Sequence, residues 1–387
     1  MQLIEVTDSA SFEIVRPTSP CVDAKWSKNP MAIVLFTLMG GALILYLLVW
    51  PNGVKPLKWQ PPEAPSLEEP PYQINDSLKG MQRIADIGSI GPEGISVDTI
   101  GRIYAGYADG KLMRFEPDGS DGTLLAHTGG RPLGTVALAN GHVLTADPLR
   151  GLLQIDPQGR IEVLTTEAAG RPFRFLNDLD IDGAGANVYF SDSSSKWGPG
   201  HDIEDILEHG GHGRLLRYEF ATRRTSVLLS GLQFANGVAV GPNADYVLVA
   251  ESGEYRVQRF WLKGSRAGDS EVFIDNLPGF PDNISFNGRD RFWLAIAAPR
   301  HPLVDQLADK VWLRQIVSRI PAWIQPKPKR HSIVLALNLD GKVTVNAQHA
   351  GAGAYWKITS ACESGQWLYC GSVDETSIGR ISLEALH

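Results

Sequence analysis

FANGVAVGPNADYVLVAESGEYRVQRFW, residues 234–261, sets three short apolar runs between turns marked by Asn-Gly, Gly-Pro-Asn and Ser-Gly. Val, Ile, Leu and aromatics alternating over a few positions, punctuated by turn formers, are the signature of short antiparallel strands. The phrase recurs. Its six copies open at GPEGISVD (91–98), RPLGTVAL (131–138), FLNDLDID (175–182), FANGVAVG (234–241), FPDNISFN (280–287) and YWKITSAC (355–362). Each has a second strand, RIYAGY, HVLTAD, NVYFSD, YVLVAE, RFWLAI and WLYCGS in turn, and most add a third.

Six sheets of about four strands, set radially, make an all-β six-bladed propeller, an arrangement that leaves only short protected edges. A solenoid or a sandwich is the alternative. MQRIADIG (81–88) is placed to close the ring against the C-terminal copy. Two copies are stretched, the third by residues 196–213 and the fifth by 299–331; in the latter Leu303, Leu307, Val311 and Trp312 fall at helical spacing, suited to cap the channel, lie on a bilayer or pack on the rim.

The chain of 387 residues is 43% hydrophobic and 20% charged, which is ample for a core and excludes a disordered chain. Its net charge of −7, with no basic run, argues against a nucleic-acid partner. Cys21, Cys362 and Cys370 are too few for a disulfide framework and read as free thiols.

Residues 31–50, MAIVLFTLMGGALILYLLVW, carry no charge. At about 1.5 Å per residue they reach about 30 Å, the thickness of a hydrocarbon core. They are read as a transmembrane helix contacting the lipid bilayer. A cleaved signal peptide fits poorly, because an acidic stretch precedes the run and no small-residue cleavage site follows it. Residues 1–30 then form an N-terminal cytoplasmic tail, and the propeller of residues 76–387 lies on the extracytoplasmic side. Seven prolines between 51 and 71 make residues 51–75 read as a stiff extended spacer.

Aligning the copies on their first strand puts Glu93, Asn177, Asn236 and Asp282 at one repeat position, with Asn283 immediately after. The innermost strands of a propeller surround its axis, so residues heading those strands converge. Two carboxylates that close repel by about 4 kcal/mol unless one is protonated or a cation sits between them. The set is all hard oxygen, which selects calcium, or magnesium or another hard divalent ion, over zinc. Singly, each residue is an ordinary turn former; four in register point to a ligand set. His127, before the second copy, is a candidate base near the channel mouth, and His201, His209 and His212 form a local cluster.

FSDSSSKW (190–197), GRLLRYE (213–219), LPGFPDNIS (277–285) with RFWLA (291–295), and WLYCGS (367–372) resemble the strictosidine synthase-like and adipocyte plasma membrane-associated protein-like family, within the gluconolactonase and paraoxonase superfamily. The resemblance covers roughly residues 80–385. It implies a central calcium held by Glu93, Asn177, Asn236, Asp282 and Asn283, polarising a small-molecule ester or lactone, with Asp282 as nucleophile or base. A departure limits it: where plant strictosidine synthase uses a glutamate in its last blade, Thr359 stands here, with Glu363 four residues on. The resemblance therefore implies an arylesterase- or lactonase-like hydrolase. A non-catalytic tethered propeller with a structural ion, and a strictosidine synthase-type condensing enzyme, are the alternatives.

Overall fold

The structure, a computed structural model, describes residues 30–321, 323–324 and 330–386. The tail read as cytoplasmic, and Cys21 with it, lies almost wholly outside these residues. The chain divides into two units, Met1–Trp50 and Pro51–His387. The first contains the described helix α1, Pro30–Val49, with no buried residue and a mean hydropathy of 2.5, long and apolar enough to cross a membrane.

The second unit is a six-bladed β-propeller. Blades 1 to 5 are four-stranded antiparallel sheets in simple chain order from axis to rim. Blade 6 is completed from the other end of the chain: Gln82–Ile84 pairs with Ile378–Ser382 in the register Gln82↔Arg380 to Ile84↔Ile378. The segment expected to close the ring closes it. A small hairpin, Glu167–Ala168 with Arg171–Pro172, precedes blade 3.

Burial falls from axis to rim. Second strands such as Val143–Asp147 are buried at every position, because each blade is sandwiched between two neighbours and both faces of its strands meet protein. Outermost strands such as Ile161–Thr165 are half exposed. The cores lie between blades: Tyr189 and Leu215 of blade 3 pack with Val247 and Val249 of blade 4, and Trp293 of blade 5 packs with Leu368 and Cys370 of blade 6. Cys362 and Cys370 are both free thiols.

Each inner strand runs away from the residue heading it and the second strand returns, so both insertions emerge at the end of the propeller where the heading residues stand. The first folds into α2, Asp202–Glu208. The second forms two short helices, α3 (Pro302–Leu307) and α4 (Val311–Val317), interrupted at Ala308–Lys310.

Residues 51–75, whose prolines read as a stiff extended spacer, are tied down by hydrogen bonds. They lie on the propeller unit. Leu57 N donates to Glu208 O (2.8 Å) and Trp59 N to Ala308 O (3.4 Å). Arg314 Nη2 donates to Leu57 O (2.6 Å), Arg300 Nη1 to Pro62 O (2.9 Å) and Gln348 Nε2 to Tyr72 O (2.9 Å). Proline lacks a donor but keeps its carbonyl, so a proline-rich segment can be held by side chains of blade 5 and its insertion.

Candidate metal centre

Four of the six inner strands carry a register irregularity at one place: between Leu176 and Leu179, Ala235 and Val238, Pro281 and Ile284, and Ile358 and Ser360. A bulge of this kind breaks the alternation of the strand and re-aims a side chain. The residues within it are Asn177, Asn236, Asp282 and Thr359. In the shorter inner strands of blades 1 and 2 the corresponding places are held by Glu93 and Leu133. Glu93, Asn177, Asn236, Asp282 and Asn283 are all buried.

Two of the carboxamides are aimed by a repeated device. Asn177 Nδ2 donates to Ser193 Oγ (3.0 Å), which donates to Ala235 O, beside Asn236 (2.7 Å). Asn236 Nδ2 donates to Ser252 Oγ (3.2 Å), which donates to Pro281 O, beside Asp282 (2.6 Å). With each amide nitrogen tied back to its own blade, each amide oxygen is left free. Thr359 Oγ1 and Ser360 Oγ both donate to Glu93 O (3.2 and 2.5 Å), holding the backbone of the remaining member.

Glu93 Oε2, Asn177 Oδ1, Asn236 Oδ1 and Asp282 Oδ1 are buried without a hydrogen-bond partner, and both polar atoms of the Asn283 carboxamide are likewise unpartnered. Buried polar atoms are nearly always bonded. That one aligned column supplies four acceptor oxygens with no donor is the arrangement a cation needs. No group of three or more His, Cys, Asp or Glu side chains arranged to hold a metal occurs among the described residues, so an ion here depends on carboxamides as much as on acids.

The carboxylates respond to each other. Burial raises Glu93 to about 7, opposed by the charge of Arg131. Burial, then repulsion from Glu93 and Asp178, drives Asp282 well above the usual carboxylate range. Asp178, one place past Asn177, is also raised well above it by burial, with Glu93 and Asp180 adding to the shift. Sequence reasoning missed Asp178. Its column reads Gly94, Gly134, Asp178, Gly237 in the first four copies, and an acid among glycines was the available signal. Those glycines are required by crowding: a Cβ on Gly94 would meet Leu133 O at 2.3 Å, and one on Gly237 would meet Ile284 N at 2.4 Å. Asp178 Oδ2 instead accepts from Val238 N (2.9 Å) and Asp180 Oδ2 from Val240 N (2.7 Å), satisfying inner-edge amides of the next blade.

Beside the ring lies an apolar wall. Leu133, Phe175 and Phe234 cluster with Ile206 of α2, the two rings meeting edge to face at 5.4 Å. His127 is elsewhere. It ends the outermost strand of blade 1, Thr123–His127, exposed, with Nδ1 accepting from Gly129 N (3.2 Å). Closeness in sequence to the second copy misled, because the connection crosses the full radius of a blade. The histidines of the first insertion pair with carboxylates: His209 with Glu254 (3.0 Å), beneath a stacked Trp59, His212 with Glu208 (3.2 Å), and exposed His201 with Glu204 (3.4 Å).

Comparison with known proteins agrees with this architecture. The family descriptions strictosidine synthase and strictosidine synthase-like, N-terminal, match residues 177–265 and 70–115. Adipocyte plasma membrane-associated protein of Salmo salar is 34% identical over 92% of this chain and 92% of its own. Among solved structures, a gluconolactonase from Xanthomonas campestris superposes with a TM-score of 0.56 at 15% identity, covering 86% of this chain and 99% of that one. Regucalcin, a calcium-binding protein from Agrobacterium tumefaciens, gives 0.52 at 13%, covering 78% and 90%. At these identities the structural likeness is one of fold.

Proposed function

Because the chain belongs to the strictosidine synthase-like family, alongside adipocyte plasma membrane-associated protein, and carries an unpartnered ring of oxygens at its axis, we propose that it is a calcium-dependent hydrolase of small esters or lactones. The single observation behind this is the ring itself. Glu93, Asn177, Asn236 and Asp282, with Asn283 adjoining, fit a hard divalent ion in number, charge and atom type. Such an ion supplies Lewis acidity towards a carbonyl oxygen.

The rest of the chemistry belongs to the side chains. The wall of Leu133, Phe175, Phe234 and Ile206 packs the apolar part of the substrate and excludes water from one side of the ring. Asp282, a carboxylate of the ring, takes a proton from the attacking water. The water oxygen bonds to the acyl carbon, the ester C–O bond breaks, and the proton passes from Asp282 to the departing alkoxide. The products are a carboxylic acid and an alcohol, joined in one molecule when the substrate is a lactone. His127 takes no part, being on the rim.

α1 anchors the propeller to a membrane, with the N-terminus cytoplasmic and the ring on the side where calcium is plentiful. The condensing-enzyme alternative is disfavoured, because Thr359 replaces the glutamate and its hydroxyl is committed to Glu93 O.

Hydrolysis of phenyl acetate and a panel of lactones, with calcium and with chelator, tests the proposal. Activity that chelation abolishes and that Asp282→Asn removes without lowering the melting temperature is the expected result. A correctly folded protein, shown by elemental analysis to contain calcium yet inactive on every ester, would leave the ion a structural role, which the mutual repulsion of Glu93 and Asp282 is sufficient to require.

A further inference from the structure

Single exposed aliphatics are ordinary on a folded surface, and the blades carry them, Ile100 and Val272 among others. The end bearing the second insertion differs. Leu57, Leu303, Val311, Trp312, Trp323 and Ile324 are exposed together, Trp312 at 65% and Trp323 at 81%. Chain and hydrogen bonds keep them in one neighbourhood. α4 carries Val311 and Trp312, its buried Arg314 turns inward to donate to Leu57 O (2.6 Å), α3 packs beside it with Leu303, and Ile324 follows a turn in which its N–H donates to Pro321 O (2.9 Å). The inner face of α4 is thus tied to the segment at Leu57, and its apolar outer face is exposed, without a partner among the described residues of the unit. Exposed Lys58 and Lys310 flank it.

Tryptophans, aliphatics and lysines in one exposed patch are the composition of a surface that sits at the lipid–water interface, rings at headgroup level and ammonium groups towards phosphate. Chain continuity supplies an independent argument. α1 ends at Val49, and Asn52 Nδ2 already donates to Ser318 O (3.1 Å) and Oγ (2.7 Å), at the C-terminal end of α4. Only three positions in the chain separate Val49 from Asn52, so the segment that leaves the apolar helix is held to the C-terminal end of α4.

We propose that this patch docks on the surface of a lipid bilayer, a second membrane contact beside the one made by α1; this rests on the reading of α1 as a membrane span and not on the hydrolase reading. The unit Pro51–His387 contains all six blades and every core cluster, none of which includes a residue of α1, so it is a self-contained folding unit in which the patch is tested without the anchor. Flotation with phosphatidylcholine vesicles, with and without phosphatidylserine, is the experiment. The fragment is expected to float with both, more strongly with phosphatidylserine. Combined Trp312→Ser, Trp323→Ser and Ile324→Ser is expected to lower partitioning at least about tenfold at unchanged melting temperature, whereas Val272→Ser on the rim of blade 4 leaves it unaltered. A fragment that stays unbound with both vesicles, or a triple variant that floats like the parent, overturns the proposal. So does a lipid-free dimer dissociated by the same three substitutions, which would make the patch a face between copies.

Discussion

Two pairs of carboxylates, equally withdrawn from water, are treated in opposite ways by this propeller. Asp192 and Glu251 end the second strands of blades 3 and 4. Asp192 accepts from Arg214 Nη2 (2.5 Å) and Phe175 N (2.9 Å), and Glu251 accepts from Arg256 Nε (2.6 Å) and Gln233 N (2.9 Å). Glu93 and Asp282, at the heads of inner strands, each leave a buried oxygen with no donor at all. The first pair is complete within the chain and holds strand ends to loops. The second is incomplete, and the chain supplies carboxamide oxygens where guanidinium groups would have finished it. These four buried acids therefore divide by what faces them, and of the two pairs the unfinished one points to a ligand.

The largest test of this contrast sets Arg214→Ala against Glu93→Gln. Removing Arg214 strands the buried Asp192 charge and is expected to cost about 3–5 kcal/mol in chemical denaturation. Glu93→Gln relieves repulsion, so the calcium-free protein should unfold no more easily than the parent while losing its response to calcium. Equal losses from both would erase the distinction.

Calcium and pH sharpen it further. The folded state holds a proton on Glu93 up to about pH 7, whereas the unfolded chain releases it near the ordinary value of 4.5; Asp282 shifts in the same direction. Between those values the folded state binds more protons, so calcium-free stability should fall as pH rises through that window, by roughly 3 kcal/mol from Glu93 alone and further through Asp282. Saturating calcium replaces the protons, adds about 2.7 kcal/mol at a hundred times its Kd and flattens the slope. A melting temperature indifferent to both would place no ion in the ring. The smallest effect is expected from Ser193→Ala, which frees the Asn177 carboxamide to rotate: about 1 kcal/mol of stability, with calcium affinity lowered about 10- to 100-fold as for other outer-shell partners.

Much of the ring was legible because a repeat turns sequence register into spatial register. Once six copies are aligned, Glu93, Asn177, Asn236 and Asp282 share a position without any knowledge of contacts. Their aim was not legible. It depends on bulges at Leu176/Leu179, Ala235/Val238 and Pro281/Ile284, and on Ser193 and Ser252 reaching from adjacent strands. Composition likewise described residues 51–75 as stiff but carried no record of Arg314, Arg300 and Gln348, which lie hundreds of residues away and hold that segment down. Asp178 was visible as an exception in a glycine column, yet its meaning rests on the free amide of Val238, which belongs to the next blade.

Closure of blade 6 has a bearing on biogenesis. Gln82 and Arg380, side by side and hydrogen-bonded in the finished molecule, are separated by 298 positions in the chain. Loops of that length cost entropy before any contact rewards them. Synthesis delivers Gln82–Ile84 before the five blades that follow it and its mate only after them, so those blades must wait, unclosed, until Ile378–Ser382 has been made. Truncation ahead of Ile378 would then leave blades 1 to 5 made, blade 6 incomplete and the circle open.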